Sequence, residues 1–426
     1  MKLVVKRVLF GDCCVLEGRR QRLIVDCGSD SREPKTGRSP QAFAYSAIRA
    51  EINDPTPTSA LISHLHSDHF CGFLSLPAEV PRLSPGLALE WAYLPLTIVH
   101  ERAAFADSIA RLLAVAPPGS YGLRLADRVN ALFDRLLHAA RRIRMVQAGD
   151  RIPLEGSASL EVLWPRVQYA LEKLPLKIDG YADKLSFLAW DRLLYQQFAL
   201  LREDQALQSA SPELRSRLNR LLDSSYAVGE TLERYLLLLT GEELAQSGRR
   251  EAFHQFQDAL ENLKEAHSSF WEMVTLSDPL RQRLLDYYLF QYHVLIKGFN
   301  ATSVVCHWED RLLLTGDAPR SIIRLLSKDD CFHSSYQVVK LPHHGTWRYY
   351  TPALPAARHY IVSNGGFPSR RVGRIALDRL SAACPDCTFH CTNAHEDPDW
   401  CEYLGLQGFC HPACVPIRDP QLRLPL

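Results

Sequence analysis

His64-Leu65-His66-Ser67-Asp68-His69 constrains this chain more than any other segment. It follows Ser59-Ala60-Leu61-Ile62-Ser63, which reads as a short buried strand running straight into the first histidine. At a strand end, residues two apart point the same way, so His64 and His66 can hold one cation side by side. As the chain turns, Asp68 and His69 can reach a second cation beside it. Imidazole and carboxylate together suit a borderline divalent metal, Zn²⁺ or Mn²⁺, with one or two ions in the site. A polar loop with chance histidines is the plain alternative, but ligand type, spacing and the preceding strand all point to metal.

Two further pieces lie far downstream. Leu312-Leu313-Leu314-Thr315-Gly316-Asp317 ends a buried strand with a carboxylate on a glycine turn. Asp317 can bridge two cations there, or it can cap a following helix expected over Asp317 to Leu326. Val338-Val339-Lys340-Leu341-Pro342-His343-His344-Gly345 ends another strand in paired histidines. Three such motifs, each at a strand's C-terminal end, mark where open α/β frames gather their sites.

The 426 residues carry 46% hydrophobic and 23% charged side chains, enough for a sizeable core. Net charge is +1, so the whole molecule has no electrostatic bias toward nucleic acid or membrane. Lys6 and Arg7 interrupt an apolar start that is too short for a signal segment, and no stretch is long and apolar enough to span a bilayer. A cytoplasmic protein with no membrane partner is the expectation. Its 12 cysteines then stay reduced, as core residues or metal ligands.

Periodicity divides the chain into a sheet-rich frame with two helical interruptions. Residues 1–100 read as the first half of the frame, 101–143 as a helical insertion and 144–166 as frame strands. Residues 167–295 read as a larger helical insertion and 296–426 as the second half, with a Cys-rich tail. Phe253, Phe256, Phe270 and Trp271 fall at helical spacing and are expected to be core.

His64-x-His66-x-Asp68-His69 resembles the signature of the metallo-β-lactamase fold superfamily, closest to the hydrolase domain of ComEC-type DNA-uptake proteins. The resemblance also takes in Gly11-Asp12, Ile24 to Gly28, Val146 to Asp150, Leu160 to Pro165, Asn300 to Val305, Leu312 to Ala318, Lys340 to Thr346 and Ile361 to Gly366. It leaves out the helical stretches. It implies an αββα sandwich with metals at one edge of two sheets. By position, His64 and His66 bind the first cation, Asp68 and His69 the second, and Asp317 bridges. One of His343 and His344 completes the second site, and the other is free to contact substrate. The superfamily's extra histidine of the first site is not evident; His100, His293 and His333 are the candidates.

The resemblance implies hydrolysis of a phosphodiester in a nucleic acid or nucleotide, with Asp68 orienting the attacking water as the catalytic carboxylate. Lys340, Ser363 and Asn364 are candidate phosphate contacts, although Lys340 also reads as a solvated strand residue. Ester, lactone or thioester hydrolysis is the alternative on the same fold. A non-catalytic scaffold docking protein partners through the helical insertions is the alternative of another class. With no membrane segments, bacterial defence or nucleotide metabolism fits better than DNA import. The tail holds Cys384-x-x-Cys387, Cys391, Cys401, Cys410 and Cys414, with His390, His395 and His411 among them, a pattern open to a structural zinc or to buried thiols.

Overall fold

The computed structural model describes residues 1–33, 35–77, 87–99, 102–203, 211–240, 246–274, 279–363, 374–392, 400–401, 406–407, 414–417 and 419–426. Two compact units result: Met1–Leu96 with Ala131–Arg166 and Asn300–Leu426, and Thr97–Asn130 with Val167–Phe299.

The first unit is built on the strands of two large sheets. They are β1 (Lys2–Lys6), β2 (Cys13–Glu17), β3 (Arg22–Cys27), β4 (Thr58–Leu61), β5 (Leu89–Pro95) and β6 (Ala140–Val146). Then come β7 (Arg151–Pro153), β8 (Ser159–Trp164), β9 (Val305–Trp308), β10 (Leu312–Leu314) and β11 (Ser335–Lys340). β12 (Ala356–Val362), β13 (Thr388–Cys391), β14 (Cys414–Pro416) and β15 (Gln421–Pro425) complete the set. The first sheet runs β15-β1-β2-β3-β4-β5-β6 and the second β14-β13-β12-β11-β10-β9-β8-β7. Each has an antiparallel half and a parallel half. The ladders from β3 to β6 are parallel, as are those from β10 to β14.

Strand alternation decides how the sheets meet. Leu3, Val5, Cys14, Leu16, Leu23, Val25 and Leu61 of the first sheet share one buried cluster with Leu160, Val162, Cys306, Leu312, Leu314, Val338 and Ile361 of the second. The inner faces therefore pack on each other. Parallel strands need crossovers, and these carry helices Pro40–Asn53, Arg320–Leu326 and Arg374–Ala383 onto the outer faces. The result is an αββα sandwich. Parallel strands also end together, so the loops after β3, β4, β10, β11 and β12 are brought to one edge, where the Val304 N–H donates to Ser63 O (2.8 Å) and the Gly11 N–H to Ser363 O (3.3 Å).

Some expected boundaries move. The helix expected from Asp317 begins at Arg320 with Pro319 in the cap position, so Asp317 does not cap it. A proline there fixes the backbone and leaves the aspartate facing the sheet edge. The strand expected at Arg144 starts at Ala140: Arg141 and Arg142 are exposed, while Ala140, Ile143, Met145 and Val146 are buried. The helical stretch expected to end at residue 295 continues to Ala301, and the following strand starts at Val305.

The second unit is helical. Ala106–Val115, Phe187–Leu200, Pro212–Thr240 and Gln246–Trp271 lie wholly within it. Phe187, Phe198, Tyr235, Phe253 and Phe270 are fully buried, and Phe256 and Trp271 are buried with them, which settles those aromatics as core. No helix among the described residues is long and apolar enough to cross a membrane.

Candidate metal centre

The loop after β4 is set by Asp26 at the end of β3. One oxygen of its buried carboxylate accepts the Ser63 N–H (2.7 Å), and the other accepts the Ser63 hydroxyl (2.8 Å) and faces His69 Nδ1 at 2.9 Å. His69 thereby turns its Nε2 toward Asp317 Oδ1, 3.3 Å away. Ser67–Phe70 forms a single helical turn, which lifts Asp68 and His69 out of line with His64 and His66. Gly28 allows the loops to close: a Cβ there would lie 2.1 Å from the Asp68 carbonyl carbon.

Asp317 arrives from the opposite sheet. Its N–H donates to Ser303 Oγ (2.8 Å), and Gly316 before it adopts φ +49° with no room for a Cβ beside Ser303. His343 and His344 follow β11 in left-handed backbone, at φ 50° and 59°, with the His343 N–H bound to Gly316 O. Two consecutive non-glycine residues in that region are unusual, and such backbone clusters at functional sites.

Two ligand groups result, one of His64, His66 and Asp317 and one of Asp12, His69, Asp317 and His344, with candidate atoms within 4.8 Å of one another in each. Asp317 belongs to both. His64 Nε2 lies 2.9 Å from His66 Nδ1 and 3.6 Å from Asp317 Oδ2. His344 Nε2 lies 3.9 Å from Asp317 Oδ2 and 3.0 Å from Asp68 Oδ2. His343 Nδ1 also approaches Asp317 Oδ2, at 2.6 Å, but its ring stacks flat on Tyr349 at 3.9 Å.

Charge distinguishes the two groups. Burial pushes the His64 imidazole well below its ordinary value and His66 down to about 4. Burial pushes His69 down too, yet the Asp317 and Asp26 carboxylates outweigh it and hold the ring well above its usual range. In the same way Asp317 and Asp12 override burial and lift His344 to about 8. Burial raises Asp68 and Asp317, but the imidazoles around them keep both carboxylates ionised. Asp317 Oδ1, Asp317 Oδ2 and His69 Nε2 are buried without a hydrogen bond despite their closeness. Buried polar atoms are ordinarily satisfied, and a divalent cation is what this donor set lacks. The residues fit such an ion.

The chain's sequence bears this out: a family model described as Metallo-beta-lactamase superfamily matches residues 7–128, which include Asp12, Asp26 and His64 to His69. Residues 7–128 carry a metallo-β-lactamase superfamily domain. The chain's αββα sandwich is that fold, and the buried His/Asp cluster marks a metal-dependent hydrolase. No curated protein matches the chain.

Lys340 is 4% exposed, with its ammonium on the Asp12 carboxylate rather than in the open. Ser363 is buried at the same edge; Asn364 and His100 lie outside the described residues. His333 precedes β11, at the end of that strand remote from His343, and its ring packs against His307 and Tyr336. His293 lies in the helix Pro279–Ala301. Cys387 and Cys391 are buried and Cys384 partly so, with no group of three metal-ligating atoms around them among the described residues. Cys401 and Cys414 are described in backbone only, and Cys410, His395 and His411 lie outside the described residues. Sequence reading assigned no role to Asp12, Asp26, Ser63 or Ser303. The signal for the first two was an aspartate beside a glycine or cysteine at a strand junction, Gly11-Asp12 and Asp26-Cys27-Gly28.

Proposed function

We propose that this centre hydrolyses a phosphodiester, in a nucleic acid or a nucleotide. The supporting observation is that Asp317 belongs to both ligand groups. Two adjacent cation positions suit in-line displacement at phosphorus, where attacking and leaving oxygens both need charge stabilisation. His64 and His66 would hold one cation; His69 and His344 the other; Asp317 would bridge. Zn²⁺ and Mn²⁺ both match the donor types. A bound cation supplies Lewis acidity, which polarises the scissile group and acidifies water. The chain's own part is orientation. Asp68, ionised and 3.0 Å from His344 Nε2, can align the attacking water.

Purified protein with measured Zn²⁺ or Mn²⁺ content should cleave at least one of bis(p-nitrophenyl) phosphate, single-stranded DNA, RNA or a cyclic dinucleotide. Asp68→Ala should lower turnover by about 10²-fold or more. Metal-loaded protein that leaves all four intact but hydrolyses p-nitrophenyl acetate, a lactone or a thioester would move the assignment to that alternative.

A further inference from the structure

Asp12 stands within the second ligand group by distance, but its Oδ2 is taken by the buried Lys340 ammonium and the proposed chemistry does not use the pair. Asp12, from the loop between β1 and β2, is 3% exposed, and Lys340, the last residue of β11, is 4% exposed. The Lys340 ammonium binds Asp12 Oδ2. That same oxygen lies 3.5 Å from His69 Nδ1, which is hydrogen-bonded to Asp26 Oδ2 at 2.9 Å, and 3.6 Å from His344 Nδ1, so it meets both rings as a neighbouring charge rather than through a hydrogen bond. The opposite nitrogens, both Nε2, face Asp317 at 3.3 Å and 3.9 Å. Asp12 is thus at the back of two imidazoles whose fronts converge on the shared carboxylate.

Its backbone is fixed as well. The Asp12 N–H donates to Asp68 O (3.0 Å), and the Gly28 N–H donates to Asp12 O (2.9 Å). Beside the pair is a cavity of about 20 Å³ bordered by Val25, Leu61, Val304 and Leu314. Taking two charges into such surroundings costs several kcal/mol per ion, and apolar side chains of similar volume often serve stability as well or better. An ammonium near a cation site is also electrostatically adverse. Stability alone therefore accounts poorly for the pair, whereas orientation of metal-binding imidazoles by a carboxylate on their far nitrogen accounts for its position.

We propose that Asp12 and Lys340 are positioning residues for the metal ligands. The Asp12 carboxylate draws the Nδ1 side of His344, and with Asp26 that of His69, by its charge, so that Nε2 is presented to the cation. Lys340 occupies the Asp12 carboxylate and keeps it from swinging forward as an additional ligand. The inference rests on the centre binding a divalent cation and is independent of which bond is cleaved.

The test is Zn²⁺ binding by chelator competition, with melting temperature, on the full chain and on Asp12→Asn, Lys340→Met and the double variant. Each single variant leaves a buried charge without its partner and should melt lower. The double variant has neither charge and should recover most of the lost melting temperature, yet bind Zn²⁺ about 10–100-fold more weakly than wild type. Recovery of both melting temperature and affinity in the double variant would overturn the proposal and leave the pair a structural element. Where a variant fails to fold, imidazole ¹⁵N–¹H spectra of Zn²⁺-loaded wild type decide. His69 and His344 protonated on Nδ1 support the proposal, and coordination through Nδ1, on the Asp12 side, overturns it. Wild type that binds no Zn²⁺ would remove the metal reading itself, a result distinct from either.

Discussion

Asp317 differs from the histidines around it because two ligand groups depend on it. Asp317→Asn keeps the shape and removes the charge. It should abolish most bound metal, while His66→Ala should remove only the share held by the His64 group; elemental analysis of both proteins checks this. A second residue-scale effect concerns acid. Burial, with His359 Nδ1 3.2 Å away, lowers His390 to about 4 from an ordinary 6.5. The unfolded chain then binds more protons than the folded one between those values, so stability is full above about 6.5 and falls as pH drops toward 4. His390→Gln should flatten the fall by about 1–2 kcal/mol in denaturant titrations, and an unchanged slope would show that the ring does not report on folding. At this scale the sequence was most legible where ligands are contiguous, as in His64 to His69. Asp12 and Lys340 are 328 residues apart, and nothing local to either marks their pairing.

The elements locate the site by ending together. Loops after β3, β4, β10 and β11 meet with almost no backbone clearance, and glycines make this possible. Gly28→Ala should destabilise the protein by about 1–3 kcal/mol, since the methyl group must displace the Asp68 backbone. It should weaken metal binding too, because the displaced segment carries His69. Wild-type affinity in a folded Gly28→Ala protein would mean that the loop tolerates the shift. Strand runs such as Leu312 to Leu314 were readable from apolar, β-forming composition, and each ended where its motif began. Boundaries were less readable where helix and strand preferences overlap. Ala140 to Ile143 continues an apolar helical pattern, and only pairing with β5 makes it a strand. Of the two readings open for Asp317, bridging ligand or helix cap, the cap falls because Pro319 holds that place.

Across the molecule, the site links segments from Asp12 to His344 within one compact unit. A cation that binds only the folded form should stabilise it by about 2.7 kcal/mol at a hundredfold excess over its dissociation constant. Zn²⁺ should therefore raise the melting temperature, a chelator should reverse the gain, and Asp317→Asn should show neither change. Amides of β4, β10 and β11 should become the more slowly exchanging ones when metal is added. Sequence reading rested, in each expected half of the frame, on strands followed by polar motifs. It could not order the strands, since that order depends on pairing between segments hundreds of residues apart.

One such pairing joins β1 to β15, Lys2–Lys6 to Gln421–Pro425. Leu3, Val4 and Val5 are all buried, and unpaired they would form an apolar, β-branched rim able to template another chain. The strand that covers them is itself a poor template: it is preceded by Pro420, ends in Pro425 and carries exposed Arg423, whose guanidinium reaches Glu17. A chain that lost β15 would keep every candidate metal ligand and still be prone to aggregate, so a low yield of such a fragment would report on its open rim rather than on its chemistry.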